Sequence, residues 1–321
     1  MSERGLRIAL LVLLAALLAF GVQRWAGRDS QRGEFHPLGQ LLARLDGRDV
    51  TRFEIAGPTE TYEVQKTEAG WQVNGLPADT VVIDRLWVDL TEAVPLEIAA
   101  SNPANHGRLG VADDSTRSLT VVHADGSQSR LLVGRPGPQQ PGGYVRLPGS
   151  DEVYLVRGGF FDAMRQPLVY WRDLTVLTID TSAVETVLLR WGADRFSLRR
   201  GQPGWTVDGL PASPDAVGDL LMALNRQYAV GFSRDSTGYG DDQRGLIALD
   251  ARGDTLVALA MRLGQRGEPL ITMRGSPFIF ELDRRSLERL MPPRDALRAI
   301  TPAPGGRVET PRRARPSIAL R

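Results

Sequence analysis

Apolar and polar positions alternate in "VTRFEIAG" (residues 50–57) and "ETYEVQKT" (60–67), and "GWQVNG" (70–75) follows closely. Period-two patterning lays one face of a strand against a core, and an Asn-Gly step favours a tight hairpin, so two or three short antiparallel strands are expected here. The period then changes. Leu86 and Leu90 are spaced for one face of a helix, with Asp79 placed as its N-cap. Apolar runs around 119–122, 130–133, 144–147 and 153–156, separated by Gly- and Pro-rich turns, predict further strands, and a second short helix is expected near 160–164. Upstream, Leu38, Leu41, Leu42 and Leu45 recur at helical spacing with Gly47 as a stop, which predicts a short juxtamembrane helix or linker over 29–47.

The same grammar returns later in the chain. "GWQVNGLPAD" at 70–79 is echoed by "GWTVDGLPAS" at 204–213, an offset of 134 between Trp71 and Trp205. Without gaps, that shift pairs Phe53 with Val187, Ile55 with Leu189, Tyr62 with Phe196, Val73 with Val207, Leu86 with Leu220 and Leu90 with Leu224. The second copy supplies Ser213 as N-cap, Pro214 at the first helical position, and Val217, Leu220, Leu221 and Leu224 as the apolar stripe. Further on the offset falls, as loop deletions require: Leu119 meets Leu246, Gly134 meets Gly264 and Tyr154 meets Phe280, with a second short helix near 287–291.

The matched positions are those a core would use, which indicates an ancestral duplication. The expected fold is α+β: an N-terminal transmembrane helix, then two tandem homologous units of mostly antiparallel sheet with segregated helices, over 48–172 and 182–298. Runs of strands, in place of strict strand–helix alternation, argue against a doubly wound nucleotide fold.

The N-terminus changes the picture. Arg4 and Arg7 precede an uncharged apolar run over 8–22, through Ile8, Leu14, Leu18 and Val22, and Arg24, Trp25 and Arg28 follow it. A helix needs ~20 residues to cross the hydrocarbon, so this run spans with help from snorkelling arginines and the interfacial Trp25. Residues 1–28 are therefore expected to be an uncleaved anchor in contact with membrane lipid, with the bulk of the chain outside the cytoplasm at a bacterial inner membrane. The tail, 299–321, is rich in Pro and Arg and is expected to be disordered.

Composition excludes several classes. Lys+Arg 39 against Asp+Glu 38 leaves a formal charge of +1, and Lys66 is the sole lysine, so nothing points to nucleic acid. The absence of cysteine removes disulfides, thiol nucleophiles and Cys-based zinc sites. His36, His106 and His123 do not share a metal-ligand spacing, Asp113-Asp114 and Asp241-Asp242 read as turn acids, and no Gly-x-Ser-x-Gly elbow is present. No catalytic residue, cofactor site or metal site is expected. The glycine-rich stretch from Gly134 reads as a flexible hairpin loop. Trp71 and Trp205 are the remaining candidates, either as aromatic platforms for a glycan or other ligand or as packing residues pinning hairpin to helix.

An N-terminal apolar segment, a "GW.V.G.PAD" phrase before a Leu-patterned helix, a "LGV" or "YGD" step, "VGR", "GGYVRLPGSDEVYLV" and "LVYWRD" together resemble the bacterial family labelled domain of unknown function 4340, most closely over 144–173. The resemblance implies a single-span envelope protein, in some members associated with gliding-motility-type ABC transport systems, and hence an accessory role beside an ABC-type permease or other envelope component. It carries no catalytic residues over. The reading is a non-enzymatic extracytoplasmic scaffold or accessory subunit, with a glycan- or ligand-binding module using the cleft between units as the alternative.

Overall fold

The computed structural model describes residues 37–233 and 244–299. The chain divides into two compact units, Met1–Asp173 and Leu174–Arg321. Each is built on a nine-stranded antiparallel sheet with helices segregated from the strands, an α+β arrangement.

In the first unit, β1 (Val50–Ala56), β2 (Thr61–Thr67), β3 (Gly70–Val73) and β4 (Leu76–Pro77) form one meander. A second meander comprises β6 (Arg117–His123), β7 (Gln128–Pro136), β8 (Gly142–Arg146) and β9 (Val153–Arg157), and β1 pairs with β6 to join the two. Between them in sequence lies β5 (Val94–Ala100), which crosses to the far edge, giving the order β4-β3-β2-β1-β6-β7-β8-β9-β5. That edge strand escapes the sequence pattern because Pro95 and two register shifts break its period.

The predicted turn and helix start are both present. Asn74 and Gly75 have φ of 48° and 78°, the paired left-handed conformation of a two-residue hairpin, and Asn74 Oδ1 accepts the Glu63 N–H at 2.9 Å. The second unit repeats this with Asp208 and Gly209 at 48° and 84° and Asp208 Oδ1 accepting from Ser197 N–H at 2.9 Å. Of the helices α1 (Pro37–Arg44), α2 (Thr80–Thr91), α3 (His106–Leu109) and α4 (Phe160–Ala163), α2 is capped by Asp79, whose side chain accepts from the N–H groups of Val81 and Val82.

Helix α1 is not a separate linker. Leu38, Leu42 and Leu45 are buried in the same core as Phe53, Ile83, Leu86 and Trp87, because the leucine stripe finds an apolar floor on the sheet-and-α2 layer. The helix ends at Arg44, and three residues on, Gly47 (φ 79°) sits where an added Cβ would lie 2.4 Å from Trp87 Cδ1.

The second unit contains β10 (Thr175–Leu177), β11 (Thr186–Trp191), β12 (Asp194–Arg199), β13 (Thr206–Val207), β14 (Leu210–Pro211), β15 (Gln227–Tyr228) and β16 (Gly231–Phe232). It continues through β17 (Arg244–Leu249), β18 (Thr255–Leu263), β19 (Pro269–Met273) and β20 (Ile279–Glu281). Its sheet order, β14-β13-β12-β11-β17-β18-β19-β20-β16, reproduces the first strand for strand, while β10 and β15 pair separately. Helices α5 (Pro214–Asn225), α6 (Arg284–Leu290) and α7 (Arg294–Leu297) contribute Leu220, Leu224, Leu287 and Leu297 to its core. Ser213 caps α5 by accepting from Ala216 N–H at 3.4 Å.

The expected anchor (Ile8, Leu14, Leu18, Val22), His36, Asp241-Asp242 and most of the tail lie outside the described residues. Among the described residues no helix is long and apolar enough to cross a membrane.

Candidate functional site

The two tryptophans sit at matched places and are both half-buried. Trp71 on β3 packs 6.0 Å from Phe53, with Lys66 Nζ 5.9 Å from its ring centre. Trp205 carries the Arg200 guanidinium 5.2 Å from its ring centre. Each packs against the core of its own unit.

Their surroundings differ. In the first unit, Phe53 also meets Trp87 at 5.2 Å and Trp171 at 6.0 Å, and Tyr62 lies 6.4 Å from Trp171. In the second unit the offset puts Val187 and Leu221 for Phe53 and Trp87, and Leu297 stands for Trp171, since the Asp79 N–H to Trp171 O bond recurs as Ser213 N–H to Leu297 O. A cavity of about 480 Å³ lies beside Trp205, walled by Pro211, Pro214, Val217, Gly218 and Leu221, the last standing where the first unit has Trp87.

The polar candidates have structural partners. His106 Nε2–H donates to Asp151 O at 3.0 Å, and the His123 ring is 3.2 Å from Ser129 Oγ. Asp113 is the counter-ion, at 2.7 Å, of a nearly buried Arg146 that also donates to Val111 O and Ser150 O. Among the described residues no three His, Cys, Asp or Glu side chains are grouped to hold a metal. The stretch from Gly134 is the tip of the β7–β8 hairpin: β7 runs to Pro136, residues 137–141 form the connection, and β8 starts at Gly142. Its glycines permit close backbone approach, since a Cβ on Gly143 would lie 2.7 Å from Arg135 O. Tyr154 Oη donates to Glu152 Oε2 at 2.6 Å, and burial, reinforced by that carboxylate, pushes its pKa up to about 12.

The feature that the sequence did not disclose is the outer face of the second sheet, away from the helices. Register places Ser197, Leu188, Ile247 and Ala258 in one row across β12, β11, β17 and β18, and Arg195, Arg190, Gly245 and Ala260 in the next. Leu188 and Ile247 are exposed, at 38% and 37%. With Arg199 and Arg274 at the margins, these rows line a trough of about 580 Å³ with an apolar floor and an arginine border. The carboxylates nearby are already engaged: Arg294 holds Asp194 at 2.6 Å and Asp208 at 3.2 Å.

In the first unit the equivalent row is Glu63, Glu54, Thr120 and Arg130. It is polar, and Glu63 is neutralised by Arg52 at 3.1 Å. Comparing outward-facing positions of the two copies, Leu188 against Glu54 and Ile247 against Thr120, is the sequence signal that would have found this face.

The architecture defines a duplicated antiparallel-sheet protein whose distinctive chemistry lies on an open sheet face. A family model described as "Domain of unknown function (DUF4340)" matches residues 71–244; this is just over half of the 321 residues, and the chain belongs to that family. No curated protein matches it, and no solved structure does.

Proposed function

We propose that the chain is a non-enzymatic, membrane-anchored extracytoplasmic scaffold or accessory subunit of an envelope or ABC-type transport complex. The apolar run over 8–22 supplies the anchor in this reading, and the contrast between the two outer sheet faces carries the rest. Two copies with one topology need the same core but do not need the same outer face. An exposed apolar row bordered by arginines in one copy alone therefore reflects a demand from outside the fold.

The sheet edges support a face-to-face mode of contact. β4 and β14 are two residues long and end in Pro77 and Pro211, and β5 is bulged. These features block edge-on strand addition.

A photo-crosslinking residue in place of Ile247, with Thr120 as control, tests the reading in cells. Adducts with permease, ATPase or other envelope subunits from position 247 alone are expected. A chain that yields no adduct and always leaves detergent extracts alone and monomeric refutes it.

A second reading, a ligand-binding module, is favoured by the cavity beside Trp205. Leu221→Trp should fill that cavity; a ligand whose binding survives the substitution does not use it.

A further inference from the structure

Taking the scaffold reading as its basis, we propose that the outer face of the second sheet docks an acidic protein segment with apolar side chains between its carboxylates. Charge and spacing together define this partner. Arg195, Arg199 and Arg274 border the face, and carboxylates from outside are the natural partners of their guanidinium groups. Asp194 and Asp208, at the border of the face, are held by Arg294.

The charges are spread out. Arg195 and Arg199 lie on one strand, ~13 Å apart at ~3.3 Å per residue. Arg274 follows β19 and donates its N–H to Ala258 O; it stands four strand spacings, ~19 Å, from the β12 arginines. Arg274 is too far from the β12 arginines to share one phosphate or one lipid headgroup with them. A chain bearing several carboxylates meets them in turn, while its apolar side chains cover Leu188 and Ile247 between them. The planar guanidinium fork suits each carboxylate in a bidentate pair. The floor explains why the partner must be amphipathic: bare polyanions would leave that apolar row wet.

The test uses the full chain in an uncharged detergent and a fluorescent synthetic peptide of alternating glutamate and leucine, followed by anisotropy. Binding that weakens with salt is expected, with a loss of about tenfold or more for Arg195→Glu combined with Arg199→Glu. Leu188→Asp should weaken it independently, and Arg52→Glu in the first unit should leave it unchanged. Equal affinity for a lysine–leucine peptide, indifference to the arginine reversals, or displacement of the peptide by inorganic phosphate or phosphatidylglycerol vesicles at comparable concentration would overturn the proposal. If the peptide fails while position 247 still crosslinks to an envelope subunit, the scaffold stands and the partner chemistry falls. If the peptide binds but no subunit crosslinks, the face takes acidic segments and the scaffold reading falls.

Discussion

Trp87 meets Phe53 edge-on, with 5.2 Å between ring centres and 84° between planes. Both rings are buried, at 5% and 0% exposure, and the second-unit counterpart of Trp87, Leu221, lines the cavity beside Trp205. Trp87→Ala should therefore cost ~3–5 kcal/mol, in the range of large-to-small core changes. Urea unfolding monitored by circular dichroism would show it as a shifted midpoint.

Two glycines with nearly the same φ separate backbone strain from overpacking. Gly75 (φ 78°) has nothing within 4 Å of an added Cβ, whereas at Gly47 (φ 79°) that atom would strike the Trp87 indole. Gly75→Ala should cost ~1–2 kcal/mol for the left-handed backbone alone. Gly47→Ala adds a further ~1–3 kcal/mol of overpacking. Equal losses in denaturant titrations would contradict this assignment.

Tyr154 gives the first unit an alkaline limit. Burial and the Glu152 carboxylate raise its pKa from 10.0 to about 12. The folded state thus favours the neutral phenol, whose stabilisation is complete below pH 10 and is lost as pH rises from 10 towards 12. Burial also raises the pKa of Tyr62, so phenolate absorbance should show late-titrating tyrosines, and Tyr154→Phe should remove one of them and reduce the fall in thermal stability over that window.

The arginine face implies opposite effects on folding and docking. Arg195→Glu places a carboxylate opposite Arg190, and a cross-strand pair of opposite charges contributes ~0.2–1 kcal/mol. The variant should melt no lower than the parent, and slightly higher at low salt, even as it weakens binding of the acidic peptide. A marked drop in melting temperature would show that Arg195 serves the fold.

Much of the hairpin-to-helix junction was legible in the chain itself. Asn74-Gly75, Asp208-Gly209, Asp79 and Ser213 each announce a local conformation through their own chemistry, and each adopts it. Leucines 38, 42 and 45 were legible as a helix face but not as core, since their partners come from α2 and the sheet. The candidate face was not legible. Leu188, Ile247 and Ala258 are scattered along the sequence and become neighbours through register, which period alone does not supply.

The placement of β5 bears on how the protein is made. As the chain emerges from the ribosome, residues 94–100 appear before any strand of the second meander, yet Val94 pairs with Arg157 on β9, the last strand of the unit to be synthesised. β5 must wait until β6 to β9 have been added one upon another. A nascent chain interrupted before Arg157 therefore carries an unmatched strand, and the first unit completes its sheet as a single late event in biosynthesis.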